Sequence, residues 1–278
     1  MKNSKQYIYY FIGIGGVGMS ALARLCKRQG HQVFGYDKTS SSVTIALEQE
    51  GIFIIYDASV ESIPVQVLGN NVEVIYTAAI RKDHPQLVYY VSQGNRIRKR
   101  SVFLADSCKK SNLIAIAGTH GKTTTALILT HIFSVTDQSF SSIMGGFLNG
   151  NESNLIGEGD EFMIVEADEY DRSFLQLYPS IGCITSMDAD HLDVYQTIDA
   201  FNAAFIQFSE QITHNLIFAY GLPLRGLTFG IEVPADYEAY NINPSNMGYS
   251  FDLKTPKGNF EGISCLLYTS PSPRDVEE

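Results

Sequence analysis

The sequence predicts an α/β chain made of two parallel-sheet units placed end to end. Three observations predict it. Two stretches, Tyr7 to Gln29 and Leu113 to Phe133, read as strand, glycine turn and helix. Short apolar runs alternate with helix-like runs along most of the chain, the pattern of a parallel sheet covered by helices. A polar break, Lys109-Lys110-Ser111-Asn112, divides the two patterns. The expected organisation is a Rossmann-like N-terminal domain over 1–110 and a P-loop-type α/β central domain over 111–264.

The 278 residues suffice for two ordinary domains, and 45% hydrophobic content predicts a packed core. A formal charge of -10 argues against a general nucleic-acid binder. It does not exclude a nucleotide, because backbone dipoles and a few cations suffice locally. Four cysteines show no CxxC and no zinc spacing. Cys26, Cys108 and Cys183 sit among apolar neighbours and read as core. Tyr7 to Ile14 is too short to span a membrane, and no signal-peptide cleavage pattern follows, so a cytoplasmic location is expected.

In the first unit, Tyr7 to Ile12 is a strand, Gly13-Ile14-Gly15-Gly16-Val17-Gly18 a turn, and Met19 to Gln29 a helix that Gly30 ends. Gln32 to Tyr36 is the next strand, closed by Asp37. Gly-x-Gly-x-x-Gly with an acid about 20 positions on is a dinucleotide fingerprint. It places a pyrophosphate on a helix N-terminus without saying whose. Ser42 to Glu50, Pro85 to Ser92 and Ser101 to Cys108 read as helices, the last with Ser101 as N-cap. Ile52 to Ile55 and Val72 to Tyr76 read as strands. Gly15, Asp37 and Thr77 are expected to meet at the carboxyl edge of the sheet. The basic run Arg96 to Arg100 reads as a solvated face, and His84 as a turn residue before Pro85.

The second unit opens with the strand Leu113 to Ala117 and the turn Gly118-Thr119-His120-Gly121-Lys122-Thr123-Thr124. Backbone N–H groups of such a turn point at phosphate oxygens. Lys122 is placed to reach the β- and γ-phosphates and the Thr123 hydroxyl to hold Mg²⁺. Only two residues separate the glycines, fewer than in a Walker A loop. Two later strands, Phe162 to Val165 and Ile181 to Thr185, each deliver an acidic cluster. The first begins with Glu166, in the position of a Walker B carboxylate and so assigned to Mg²⁺. The second contains His191, a candidate ligand for a second ion. His120 reads as a residue that orders the loop.

Four blocks together resemble the Mur ligase family: Gly13 to Ser20, Ala117 to Thr124, Glu166 to Phe174, and Asp188 to Asp193. The shortened phosphate loop is that family's form of the motif. The resemblance runs from about Tyr7 to Gly262. It implies ATP and Mg²⁺ as cofactors, UDP-N-acetylmuramate and L-alanine as substrates, and amide-bond formation through an acyl phosphate in cell-wall synthesis. Gly13, Gly15, Gly16, Val17, Gly18, Asp37, Thr77, Arg172 and Ser173 then bind the nucleotide-sugar. Gly118 to Thr124 bind ATP, Lys122, Glu166 and His191 are catalytic, and Thr123, Glu166 and His191 hold metal. Ser186 and His84 stand where many relatives carry Asn.

The family's third domain and its His-Asn-x-x-Asn segment have no counterpart here. Cys265 to Asp275 reads as the translation of a transposase sequencing adapter, so a non-native tail over 265–278 is expected. The polypeptide as written is then expected to bind nucleotide-sugar weakly and ATP poorly, and not to complete a ligation. Besides a non-catalytic nucleotide-binding module, a reading that suits the fragment but not its parent gene, two other readings stay open at this point. One is a relative that attaches a peptide to the same sugar during wall recycling. The other is a nicotinamide-dependent oxidoreductase built on Gly13–Gly18 and Asp37.

Overall fold

The glycine turn of the first unit sits where its strand order reverses. In the computed structural model, which describes residues 6–69, 71–146, 153–188, 192–245 and 248–266, the first unit runs β1 (Ile8–Ile12), α1 (Val17–Arg28), β2 (Gln32–Tyr36), α2 (Ser42–Gln49), β3 (Phe53–Ile55), β4 (Val72–Tyr76), α3 (Pro85–Ser92), β5 (Arg96–Lys99) and α4 (Arg100–Cys108). The strands pair in parallel in the order β3-β2-β1-β4-β5. Ile12 lies level with both Tyr36 and Tyr76. The residues that follow all three strands are therefore neighbours at one edge, at the switch point where such sheets take ligands.

Local chemistry explains most helix starts. Ser41 and Thr44 form a reciprocal capping box at α2, and Pro85 occupies the first turn of α3 behind His84 as N-cap. The start of α4 departs from expectation. It begins at Arg100 with Lys99 as N-cap and no side-chain cap, so Ser101 is not the cap. Strand β5 runs into the helix with no loop, and sheet register sets the boundary instead. The basic run is likewise not a uniformly solvated face. Arg98 is 12% exposed, pairs with Glu73 and Asp106, and lies over the Phe103 ring. Arg96 is exposed.

The second unit runs β6 (Asn112–Ala117), α5 (Lys122–Ser134), β7 (Phe140–Ile143), β8 (Leu155–Ile156), β9 (Phe162–Glu166), β10 (Ile181–Ile184), α6 (Leu192–Tyr195), α7 (Ile198–Glu210), β11 (Asn215–Ala219), β12 (Leu227–Ile231), β13 (Tyr237–Ser245), β14 (Gly248–Thr255) and β15 (Gly258–Leu266). Their order is β15-β14-β13-β12-β11-β10-β6-β9-β7-β8. Strand β6 is central, parallel to β9 on one side and β10 on the other. The antiparallel ribbon β13–β15 extends the sheet. Residues from 267 onward, the bulk of the expected tail, lie outside the described residues. Among the described residues no helix is long and apolar enough to cross a membrane.

One hydrophobic core crosses the divide. Phe11, Leu22 and Phe103 of the first unit belong to the same cluster as Leu113, Val165, Phe174 and Phe205 of the second. Asn154, fully buried, joins the units by hydrogen bonds. Its amide nitrogen donates to the carbonyls of Val17 and Met144, and its oxygen accepts from Ser20 and Arg24 at 3.3 and 3.2 Å. Arg28 of α1 reaches Ser141 and the Gly157 carbonyl. Cys26 and Cys108 are buried and Cys183 is partly buried. Burial pushes the Cys108 thiol up to about 12 and Cys183 to about 11, so neither is reactive at neutral pH.

Under the second sheet, Phe174 packs on Phe205 and Phe208 at ring distances of 5.2 and 4.9 Å. Phe205 is fully buried. Phe205→Ala is expected to cost about 3–5 kcal/mol of stability, read as a lowered midpoint in urea denaturation. A shift of under 1 kcal/mol would mean this aromatic layer is not packed as described.

Candidate active site

The phosphate loop is shaped by two glycines and tied down by the neighbouring strand. Gly118 ends β6 at φ 134°, and Gly121 caps α5 at φ 80°; both values favour glycine. A side chain at Gly118 would also collide with the Thr185 hydroxyl. Thr185 and Ser186 follow β10. Thr185 Oγ1 donates to the His120 carbonyl at 2.5 Å, and Ser186 Oγ accepts from His120 N at 2.9 Å. Thr119 Oγ1 meets Ser186 Oγ at 2.9 Å and accepts from Asp188 N at 3.0 Å. The hydroxyl of Ser186 thus braces the loop. Neither Thr185 nor Ser186 was singled out by motif, and their position after a strand flanking the loop was the available signal. His120 is exposed, and its ring lies 3.9 Å from Asp188.

Lys122 folds back over its own loop. Its Nζ donates to the Gly118 carbonyl at 2.5 Å and to both oxygens of Glu169 at 2.8 and 3.0 Å. Glu169 is 1% exposed and Lys122 18%. Tyr195 donates from its hydroxyl to the Glu169 carbonyl, fixing that backbone from below. Spacing alone marked Glu169 no more strongly than its acidic neighbours. Its role emerges only from the 3₁₀ turn Tyr170–Gln176, which draws it under the loop.

Thr123 and Glu166 meet across the mouth of the loop. Thr123 Oγ1 donates to Glu166 Oε2 at 3.0 Å, and Gly145 N donates to Glu166 Oε1 at 2.8 Å. An octahedral Mg²⁺ with bonds of about 2.1 Å sets adjacent oxygen ligands about 3 Å apart, so these two oxygens fit a hard cation. Gly145 must lack a side chain, because an added Cβ would stand 2.5 Å from Glu166 Oε2. His191 lies outside the described residues. Among the described residues no group of three or more His, Cys, Asp or Glu is placed to hold a metal ion. Thr124 is exposed on the first turn of α5.

The glycine turn of the first unit closes as expected. Gly15 N donates to Asp37 Oδ2 at 2.7 Å, and Thr77 lies against Gly13, which has φ 85°. Gly16 is the N-cap of α1, and Val17 and Gly18 form its first turn, with no side-chain cap in the way. Between the units, Thr77 and Ser173 line one cleft of about 200 Å³ with Ala78, Ala79, Arg100 and Asp168. Ser173 also donates to the Asp168 carbonyl at 2.8 Å. Arg172 has φ 54° and lies over the Tyr195 ring at 5.3 Å, whereas Ser173 faces the cleft. Arg100 was not among the residues picked out by motif.

Comparison with known proteins agrees with this architecture. Residues 8–111 match the family model "Mur ligase family, catalytic domain", and residues 116–269 match "Mur ligase middle domain". UDP-N-acetylmuramate–L-alanine ligases of Flavobacterium psychrophilum and Flavobacterium johnsoniae are 44% and 45% identical over 256 and 249 residues. Those alignments cover 91% and 89% of this chain, which spans 57% and 56% of the two relatives. The crystal structure of the UDP-N-acetylmuramate–alanine ligase of Thermotoga maritima superposes with a TM-score of 0.80 at 25% identity, over 92% of this chain and 60% of that one. A Neisseria ligase for UDP-N-acetylmuramate and a tripeptide superposes at 0.78 with 19% identity, over 91% of this chain and 86% of that one, which speaks for the fold alone. With both family models matched along most of its length and relatives at 44% and 45% identity, the chain belongs to the Mur ligase family.

Proposed function

We propose that this chain carries the nucleotide-sugar and ATP sites of a UDP-N-acetylmuramate–L-alanine ligase of peptidoglycan synthesis, acting in the cytoplasm. The observation that carries the reading is the gathering of the Lys122 loop and the Thr123–Glu166 pair at one sheet edge, with Glu166 lining a small cleft that Arg100, Ser101 and Leu104 of the first unit complete. In this reading, residues 1–110 hold UDP-N-acetylmuramate and residues 111–264 hold ATP. Asp37 accepts from Gly15 N and so holds the turn closed at the edge of the sheet. Identity of 36–45% to relatives named for L-alanine favours alanine over a peptide acceptor.

The chemistry follows from the groups present. A carboxylate resists amines until its oxygen becomes a leaving group. The lactyl carboxylate of the sugar attacks the γ-phosphorus of ATP, giving an acyl phosphate and ADP. The alanine amine then attacks the acyl carbon and expels phosphate. Phosphoryl transfer asks the protein for in-line positioning and charge neutralisation more than for covalent help. The N–H groups of Gly121 to Thr124 cradle the phosphates at the start of α5. Lys122 exchanges Glu169 for phosphate oxygens, and Glu169 stays near enough to guide its return. Thr123 and Glu166 offer the oxygens for Mg²⁺, with His191 proposed for a second ion. When bound, Mg²⁺ neutralises phosphate charge in the transition state.

Two measurements test this reading. The chain should bind UDP-N-acetylmuramate and not NADH in calorimetric titration, and the opposite preference would sink the assignment. In a full-length ligase carrying these residues, phosphate release should require ATP, UDP-N-acetylmuramate and L-alanine together. There Glu166→Ala should lower kcat by about 100-fold or more, in line with losing a metal clamp. Turnover with a tripeptide but not L-alanine would transfer the chain to the recycling branch.

The Lys122–Glu169 pair yields a stability prediction. Glu169→Ala leaves a largely buried ammonium unpaired and should cost about 3 kcal/mol in urea denaturation. Lys122→Met combined with Glu169→Leu should recover most of that loss, because two apolar side chains replace the pair. Equal stability of Glu169→Ala and the parent chain would show that the pair is not formed.

A further inference from the structure

Arg100 opens α4 and lies half-buried in the cleft between the units. Its side chain crosses Gly18 in the first turn of α1. A Cβ added at Gly18 would stand 2.6 Å from a guanidinium nitrogen and 3.2 Å from Cδ and Cζ. Gly18 is helical and has no positive φ, so its missing side chain provides space rather than torsional freedom. What that space admits is the guanidinium. Next door, Arg98 is neutralised by Glu73 and Asp106. Arg100 has no such partner: among the described residues it makes no hydrogen bond or ion pair. A guanidinium is always charged, and the Arg100 nitrogens, which are not buried, stay open to an incoming anion.

The surroundings suit an anion. The cleft around Arg100 presents the hydroxyls of Thr77, Ser101 and Ser173. Helices α1 and α4 both start here without a side-chain cap. Asp168 is the acid on the far wall, contributed by the second unit. The side chain of Arg100 lies against Gly18 of α1, and the residue also lines a smaller cleft with Glu166 and Asp168.

Building on the nucleotide-sugar reading, we propose that Arg100 binds the pyrophosphate of the UDP-sugar together with the Gly13–Gly18 turn, and that position 18 is glycine to let this guanidinium reach it. The planar fork of five N–H donors matches two phosphate oxygens as a lysine ammonium does not. This assigns a binding role to a residue inside what reads, by sequence, as a solvated basic run.

The test titrates the chain with UDP-N-acetylmuramate, UDP and uridine, by calorimetry or by NMR shifts where affinity is low. Arg100→Ala should weaken UDP-N-acetylmuramate and UDP by about 10- to 100-fold, the scale of a charge-assisted contact, and leave uridine unchanged. Arg100→Lys should recover only part. Gly18→Ala should mimic Arg100→Ala while melting like the parent chain, because the displaced group is the mobile end of a side chain. Unchanged UDP affinity in Arg100→Ala, or equal losses for UDP and uridine, would overturn the proposal and leave the nucleotide-sugar reading standing. Failure of the parent chain to bind UDP-N-acetylmuramate or UDP would overturn both.

Discussion

A single buried amide sets the distance between the two units. Asn154 has no exposed surface, and each of its hydrogen-bonding atoms must find a partner inside the protein. It satisfies them with α1 on one side and the end of β7 on the other. The carbonyl it holds on α1, Val17, belongs to the turn assigned to the nucleotide-sugar. The carbonyl it holds after β7, Met144, directly precedes the glycine that orients Glu166. The amide therefore links the two edges where ligands are expected. With a shared hydrophobic core behind it, the arrangement leaves little freedom for the first sheet to move against the second.

Within the second unit the governing constraint is charge. The carboxyl ends of β6, β9 and β10 bring Lys122, Glu166, Glu169 and Asp188 close together. Each carboxylate is satisfied differently. Glu169 takes the lysine, Glu166 takes a hydroxyl and a backbone N–H, and Asp188 approaches His120. Backbone donors and one ammonium hold the acids apart in roles that their spacing along the chain does not reveal.

Much of this was legible in the sequence because glycine is legible. Gly13, Gly118 and Gly121 occupy backbone angles that favour glycine, so the two turns could be read at once, and the flanking strands followed from apolar runs. The strands β13 and β15 were not legible. Tyr237 to Ser245 carries a proline and several polar residues, and a register shift between Tyr240 and Asn243 breaks its alternation. The positions of Lys122, Thr123 and Glu166 at the sheet edge were legible because each has a fixed offset from a turn or a strand end. The contacts of Glu169 and Thr185 were not legible because they depend on which elements fold beside them, and Ser186 was legible only as a departure from the family's Asn. Arg98 shows the same limit: a run of basic letters does not disclose that one member faces two acids.

The resting partner of Lys122 also bears on selectivity. A phosphate loop with a free ammonium attracts any small anion in its surroundings. Here the ammonium is already neutralised by a carboxylate with 1% exposure. A newcomer must compensate for the lost pair before it gains anything. One chloride or one inorganic phosphate offers few contacts for that exchange. A polyphosphate chain engages the loop's N–H groups, the Thr123 hydroxyl and the lysine at once. If the loop takes a polyphosphate as proposed, the internal pair sets a threshold that depends on length of charge rather than on charge alone.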